Sequence, residues 1–568
     1  MNYKYELAKL LSELTNIEVL PNQIEIPERK MGDFAFPCFR LAKELKKAPP
    51  TISTELSEKI NITSLPWLQK AVATGPYINF FIEKSELART VITKAIKDSE
   101  NFGSSTIGVG KTIVIDYSSP NIAKPFHVGH LRSTVIGQAL YNIYKHLGYT
   151  CIGVNHLGDW GTQFGKLIAA YKLWSSKEEI EKGGIPALNS IYVKFHEEAE
   201  KDPSLEDQGR SYLLKMEQGD KEALDIWNFF NDISLKEFER VYNRLGIKFD
   251  HYTGESFYQD KMQNVLDELE RKNLLQESQG AKIVDLEIFD LPPCLLLRAD
   301  GGTLYHTRDL ATAFYRKNTY NFEKVLYVTA IDQSLHFNQL FKVIERMQYP
   351  WSADMHHVPF GLVSLESGKL STRKGNVVLM EDLLNSAVEK AKEIIDEKNA
   401  NLENKDEIAE AVGIGAIVFN DLYNQRIKDV TFSLEKMLNF DGETGPFVQY
   451  SHVRANSVLK KGGINENSQL DINNIDYTCL SDEESQNLLY HLYFFNDKLI
   501  EATEKLEPYI VTRHITQTAQ AFNKFYQTHK ILDSPENVKT ARLALVQSTK
   551  NMLKTGLKLI GIQAPLQM

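Results

Sequence analysis

Cysteine is scarce in this chain. There are four in 568 residues, Cys38, Cys151, Cys294 and Cys479, and no two of them form a CxxC pair. That argues against a zinc knuckle or a disulfide scaffold and fits a reducing compartment. Long apolar runs are missing as well. No stretch approaches the roughly 18–20 apolar residues of a membrane span. The opening MNYKYELAKLLSELTN reads as an amphipathic helix, without the apolar core and cleavage site of a secretory leader. A cytoplasmic protein with no membrane partner is expected. A basic surplus is also absent: the net charge is −10, so the surface as a whole does not advertise nucleic-acid binding. The balance is uneven, however. From Tyr509 to Met568 there are 8 Lys/Arg and 2 Asp/Glu, which suits a local RNA-binding face and equally suits ordinary solvated helices. No internal repeat of solenoid period is found.

What is present is several domains' worth of ordinary globular sequence, about three or four on length alone. Residues 1–105 read as mixed helix and strand. Helical patterns at Tyr5–Leu14, Phe39–Lys47 and Ile52–Ile60 surround VATGPYINFFIE, which predicts a strand. The Gly/Ser-rich stretch Ser99–Lys111 reads as a linker. Beyond it, strand candidates alternate with helices: Lys111–Tyr117, Thr150–His156, Lys324–Asp332 and His356–Val363. Such alternation predicts parallel βαβ units in a doubly wound sheet. Between Lys172 and Arg271 the text is charged and helical, as in an insertion, and from about Lys405 onward only helices are expected, interrupted by a polar loop at Gly462–Glu484.

The most informative string is HVGH, His127–His130, between the strand KTIVIDY and a helix that begins near Leu131 and ends at Gly148. Strand, turn, helix is a phosphate-binding context, because helix N-terminal amides and the helix dipole favour anions. His127 and His130 share one face of a first turn. Gly129 between them lets a nucleotide approach the backbone. Two imidazoles there can donate to charge that builds during phosphoryl substitution. Alone, the motif is also compatible with two surface histidines on a helix. A second signal is KLSTRKGN, Lys369–Asn376.

Together, HVGH and KLSTRKGN resemble the two signatures of class I aminoacyl-tRNA synthetases. Longer segments resemble one family among them, the arginyl-tRNA synthetases: DYSSPNIAKPFHVGHLRSTVIG, NHLGDWGTQFGKLI, DGGTLYHTRDLATAFYR, AIDQSLHFNQLF, GPFVQYSHVRA and the C-terminal RLALVQSTKNMLKTGLKLIGIQAPLQM. MGDFAF and ATGPYINFF are similar to the N-terminal domain peculiar to that family. The resemblance runs from about residue 30 to the end.

It implies an α/β fold: a Rossmann-type doubly wound core at 106–404, with a connective insertion at about 172–300 and a KMSKS-like loop. An α+β domain at 1–105 would bind the tRNA elbow at its D-loop, and an all-α anticodon-binding domain would occupy 405–568. It implies that ATP, with Mg2+, activates L-arginine, and that the product is transferred to tRNA(Arg). No zinc and no protein-held metal are expected, nor is a protein nucleophile, and a monomer is. Arginine activation that needs bound tRNA is implied too. Catalytic roles fall on Lys124, His127, His130, Lys369, Ser371 and Lys374, and ATP contacts on Gly129, His156 and Lys369. The guanidinium is a planar fork of donors and calls for carboxylates. Asp116 and Asp309 match the acidic pocket positions, with Ser118, Asn121, Tyr305 and Gln333 beside them. Tyr77 and Asn79 match D-loop contacts, and Phe522, Phe525 and Tyr526 lie where anticodon recognition is expected. The loop departs from KMSKS: Thr372 replaces its second lysine, so Lys124 or Lys374 must supply the missing charge. Two other readings stay open on sequence alone: an HxGH nucleotidyltransferase acting on a small molecule, and a catalytically silent tRNA-binding paralogue.

Overall fold

The computed structural model describes the whole chain except residues 1, 300, 366–367, 370–377, 400 and 466–469; for 365, 368–369 and 398 it describes the backbone alone. Spatially the chain forms two compact units. One comprises Met1–Phe102, Arg454–Phe494 and Gln517–Met552, and the other Gly103–Val453, Phe495–Thr516 and Leu553–Met568. No helix among the described residues is long and apolar enough to cross a membrane.

The first unit contains a three-stranded antiparallel sheet, with Tyr77–Ile82 between Phe34–Pro37 and Leu68–Thr74. The single strand expected over VATGPYINFFIE is thus a hairpin. Gly75 turns the chain with φ +57, a conformation that favours glycine. Helices from the C-terminal half complete this unit. Tyr3 stacks on Tyr493 with ring centroids 5.3 Å apart, and the Arg29 guanidinium lies 4.8 Å from the centroid of Tyr490.

The second unit is built on five parallel strands: β1 (Thr112–Asp116), β2 (Thr150–Asn155), β3 (His251–Tyr252), β4 (Lys324–Tyr327) and β5 (Met355–His357), in the order β5-β4-β1-β2-β3. This is the doubly wound Rossmann order. The chain reverses direction of progress between β1 and β4, and ligands bind outside the carboxyl ends of the strands at such a switch point. Runs of Val and Ile bury all of β1 but Thr112, as in a strand covered on both faces. Helix α1 (Leu131–His146) follows β1, α2 (Thr162–Trp174) and α3 (Lys221–Arg244) follow β2, α4 (Tyr305–Tyr320) precedes β4, and α5 (Ser334–Arg346) follows it. Gly148, at φ +88 just past α1, ends that helix as expected.

Three expectations are corrected. His356–Val363 is two strands, not one: β5 joins the parallel sheet, while Val363–Leu365 lies in a small sheet between Gly368–Lys369 and Val430–Phe432. Val430–Phe432 is itself a strand inside text read as all helix; three residues are too few to show a period. The charged tract read as pure insertion also contains β3, an edge strand of the core sheet.

Helices α6 (Met380–Lys398) and α7 (Lys405–Leu422) follow the second motif. One buried ion pair fastens α7 to α1. Arg132 Nε lies 2.9 Å from Asp421 Oδ1, with both side chains fully excluded from solvent. Arg132 Nη1 also donates to the carbonyls of Gly361 (3.0 Å) and Lys428 (2.6 Å). Removing one partner of such a pair strands a charge in the interior. Asp421→Asn should therefore lower stability by about 3–5 kcal/mol, read as an earlier urea unfolding transition; a change below about 1 kcal/mol would mean that solvent reaches the pair.

Candidate active site

The segment joining β1 to α1 is irregular and short of ordinary backbone geometry. Ser118, Ser119 and Ala123 have φ of 72, 46 and 60°, left-handed values that side chains disfavour. Neighbours hold them. Ile122 N donates to the carbonyl of Gly158 and Gly158 N to that of Pro120, both at 3.1 Å. A Cβ on Gly158 would sit 2.0 Å from Asn121 Oδ1, so a larger residue there would displace the Asn121 side chain.

HVGH follows as a tight turn in which each histidine is fixed by a backbone amide. His127 Nδ1 accepts from Gly129 N at 3.0 Å, and His130 Nδ1 accepts from His127 N at 3.2 Å. Each ring must therefore carry its proton on Nε2. The two rings lie 3.9 Å apart, and Phe126 stacks on His130 at 5.0 Å. Burial, with Lys124 nearby, holds His127 below the usual imidazole range; burial and the adjacent His127 push His130 down to about 3. Both are neutral Nε2–H donors at neutral pH, suited to phosphate oxygens.

The chain just past the second motif runs against the first. Val128 N donates to the carbonyl of Val378 at 3.1 Å, and Met380 N to that of Phe126 at 3.0 Å, so the chain leaving KLSTRKGN is zipped to HVGH. Lys369 lies in the strand Gly368–Lys369, paired with Val363–Leu365. Ser371, Thr372 and Lys374 fall outside the described residues. Lys124 and Gly129 are exposed.

Across the switch point, Asp309 on α4 accepts from His336 Nε2 of α5 at 2.6 Å. Burial raises its carboxyl, but the His336 hydrogen bond and the imidazoles of His336, His156 and His306 outweigh this and hold it below the usual range. Tyr305, one turn earlier, is 66% exposed, and Asn121 and Gln333 are exposed as well. His156 sits past the end of β2, its Nδ1 3.0 Å from the carbonyl of Thr253. A further carboxylate joins this group, Glu255. It pairs with Arg308 at 3.0 Å; burial, opposed by Arg308 and reinforced by Asp309 and Asp159, pushes it up to about 7. Sequence reading missed it, because a lone Glu in a polar stretch carries no periodic signal.

Three expected ligands, Asp116, Ser118 and Asn79, are buried against protein partners. Asp116 already holds a guanidinium, that of Arg316 (2.8 Å), and its other oxygen accepts from Ser119 Oγ (2.9 Å). Ser118 is buried, its hydroxyl 2.7 Å from that of Tyr242 and 2.8 Å from Thr134 Oγ1. Both support the turn instead of facing the cleft. In the other unit, Asn79 is 4% exposed and donates to Thr74 Oγ1 at 3.1 Å, while Tyr77 is half-buried against the exposed Phe39. Phe522 and Phe525 are core residues at 0% exposure; of the aromatic trio only Tyr526 reaches solvent, with the Arg454 guanidinium 5.3 Å from its ring centroid.

Comparison with known proteins decides the family. The family model described as "tRNA synthetases class I (R), catalytic domain" matches residues 92–434, and relatives match from end to end. The chain belongs to the arginyl-tRNA synthetases. The model of the arginyl-tRNA synthetase N-terminal domain matches 1–82 and that of the DALR anticodon-binding domain 448–568. The arginine–tRNA ligases of Alkaliphilus metalliredigens and Clostridioides difficile are 53% and 54% identical to it, each over all of both chains. The solved arginyl-tRNA synthetase of Thermus thermophilus superposes with a TM-score of 0.83 at 25% identity, covering 100% of this chain and 99% of its own. That of Plasmodium falciparum superposes at 0.80 and 25%, covering 100% and 98%.

The neutrality of the signature histidines in this family member is measurable. In 15N-histidine NMR, His130 should show the Nε2–H tautomer and no titration between pH 5 and 8; a midpoint near 6.5, the unperturbed value, would break the assignment.

Proposed function

We propose that this chain is an arginine–tRNA ligase that works in two steps. A carboxylate oxygen of L-arginine attacks the α-phosphorus of ATP, brought as its magnesium complex. The bond to the bridging oxygen breaks and pyrophosphate leaves. The terminal ribose hydroxyl of tRNA(Arg) then attacks the carbonyl carbon of arginyl-adenylate, and AMP leaves. No group of the protein is consumed, so the rate rests on positioning and on stabilising phosphate charge.

One observation carries this reading: neutral Nε2–H donors and a carboxylate cluster stand at the same switch point. His127 and His130 serve the phosphates, with Lys124, Lys369, Ser371 and Lys374 supplying further donors and charge. Gly129 and His156 flank the nucleotide. Asp309 and Glu255 bind the guanidinium, Tyr305 packs beside it, and Asn121 and Gln333 hold the amino-acid end. Asp116 and Ser118 shape the turn. Tyr77 meets the D-loop of the tRNA within an elbow-binding domain at 1–105, ahead of a catalytic domain at 106–404 and an anticodon-binding domain at 405–568. The protein acts as a cytoplasmic monomer.

The test is ATP–pyrophosphate exchange with each amino acid, with and without tRNA, on protein freed of RNA. Exchange should require arginine and tRNA, and lysine and citrulline should be rejected by roughly 10⁴–10⁵, the discrimination of a site whose buried polar groups go unpaired with the wrong ligand. Asp309→Asn should abolish most arginine-dependent exchange; if it leaves exchange intact, the guanidinium lies elsewhere.

Glu255 adds a pH dependence. Its carboxyl is raised to about 7, so it is protonated in the empty site below that pH. A guanidinium favours the ionised form, and binding must release a proton there. The arginine KM should fall about tenfold per pH unit on approaching neutrality from below, then level off. Glu255→Gln should flatten that slope; a slope that survives the substitution assigns the proton to another group.

A further inference from the structure

Helix α3 belongs to the charged tract that reads as an insertion, yet one face of it is the underside of the active-site turn. Phe230, Ser234, Phe238 and Tyr242 recur every fourth residue along that face and are all buried. Ser234 Oγ accepts from Ala123 N at 2.9 Å, at one of the left-handed residues. Phe238 and Tyr242 pack against Phe126, at 5.6 and 5.5 Å between ring centroids, and Phe126 stacks on His130.

The Tyr242 hydroxyl is the centre of a continuous polar chain. It accepts from Asn155 Nδ2 at 3.1 Å and lies 2.7 Å from Ser118 Oγ. Ser118 Oγ is 2.8 Å from Thr134 Oγ1, which is 2.7 Å from the carbonyl oxygen of His130. Asn155 Oδ1 in turn accepts from Ser119 N at 3.2 Å. One phenol is thus bonded directly to Ser118 and linked through Asn155 to Ser119, and through Ser118 and Thr134 to the end of HVGH. Tyr242 is 1% exposed, so water cannot replace it. The helix that carries it is itself pinned. Arg244 Nε binds Glu410 at 2.7 Å, Arg244 Nη1 binds Asn385 at 2.8 Å, and Arg240 pairs with Glu381.

We infer that Tyr242 is a positioning residue of adenylate formation: its hydroxyl, with that of Ser234, holds the turn from Tyr117 to Phe126 in the strained shape that presents Asn121, Lys124 and the two histidines to one cleft. The inference rests on the site reading given above. A turn with three left-handed residues relaxes when its external bonds are lost, because local geometry favours other conformations. Misplacement of reacting groups by about 1 Å costs about a hundredfold in rate. The loss should fall on the chemical step more than on substrate affinity.

The test uses the full-length protein with tRNA present. Tyr242→Phe removes one oxygen and keeps the ring against Phe126. It should retain its fold by circular dichroism and lower the exchange kcat about ten- to a hundredfold, with KM for ATP and arginine within about threefold. These ranges follow from loss of alignment. Ser234→Ala, which frees Ala123 N, should act in the same direction, and it decides the matter if Tyr242→Phe does not fold. Ser118→Ala combined with Tyr242→Phe should be no worse than the more damaging single change, because both break one chain; additive losses would overturn the inference. His130→Ala, measured in parallel, separates the two levels. If it is impaired, losing about 10²–10³ in rate as one missing donor does, while both Tyr242→Phe and Ser234→Ala keep normal kcat, the positioning role is wrong and the site stands. If His130→Ala also turns over normally, the site reading has failed and the inference falls with it.

Discussion

Asp116 and Arg316 meet at 2.8 Å at the switch point of the sheet, and Arg316 is wholly excluded from solvent. Asp116 ends β1 and begins the turn that leads to HVGH. Arg316 lies on α4, the helix that also carries Tyr305 and Asp309. One ion pair therefore sets the spacing between the turn that leads to HVGH and the helix that carries Asp309. A buried pair is costly to desolvate and costlier to leave half-made, so it tolerates little sliding of α4 against β1. The neighbouring Tyr327 ring, 5.4 Å from the Arg316 guanidinium, closes the remaining space. The geometry of the cleft follows from this contact more than from any residue that faces the substrate.

Two of the chain's own guanidiniums already occupy carboxylates near this cleft. Arg316 and Arg308 both approach carboxylates there, Asp116 and Glu255 respectively. Arg316 takes Asp116 out of play. Asp309 keeps its hydrogen bond from His336 Nε2 and, among the described residues, pairs with no arginine. The other carboxylates of the cluster, Asp309 and Glu255, lie on α4 and just after β3.

The sequence disclosed what is contiguous. HVGH, the strand before it and the helix after it occupy neighbouring positions, and the alternation of apolar strands with helices foretold a parallel doubly wound sheet, though not its order or its edge strand β3. What it hid depends on burial. Tyr77 and Asn79 read alike in a strand pattern, yet one is half-exposed and the other sealed. Phe522 and Phe525 sit beside basic residues and still belong to the core. Glu255 and Tyr242 are single polar groups in polar text, and nothing local marks them. The four-residue recurrence of Phe230, Ser234, Phe238 and Tyr242 is the one signal by which α3 could have been recognised as packed; its charged neighbours masked that face.

The supports of the turn are neutral for a physical reason. Hydroxyls and an amide, from Thr134 through Ser118 and Tyr242 to Asn155, stiffen the backbone without adding net charge beside a site that must bind both a guanidinium and a triphosphate. A lysine or aspartate in any of those places would add a long-range field in a poorly screened interior, favouring one substrate against the other. Buried neutral hydrogen bonds act only at contact distance, and each is expensive to leave unmade. The histidines follow the same rule: held neutral by burial, they offer directional Nε2–H donors without adding charge. Rigidity and charge are thus assigned to different residues, and the strained turn is held in shape without a field that favours ligands of either sign.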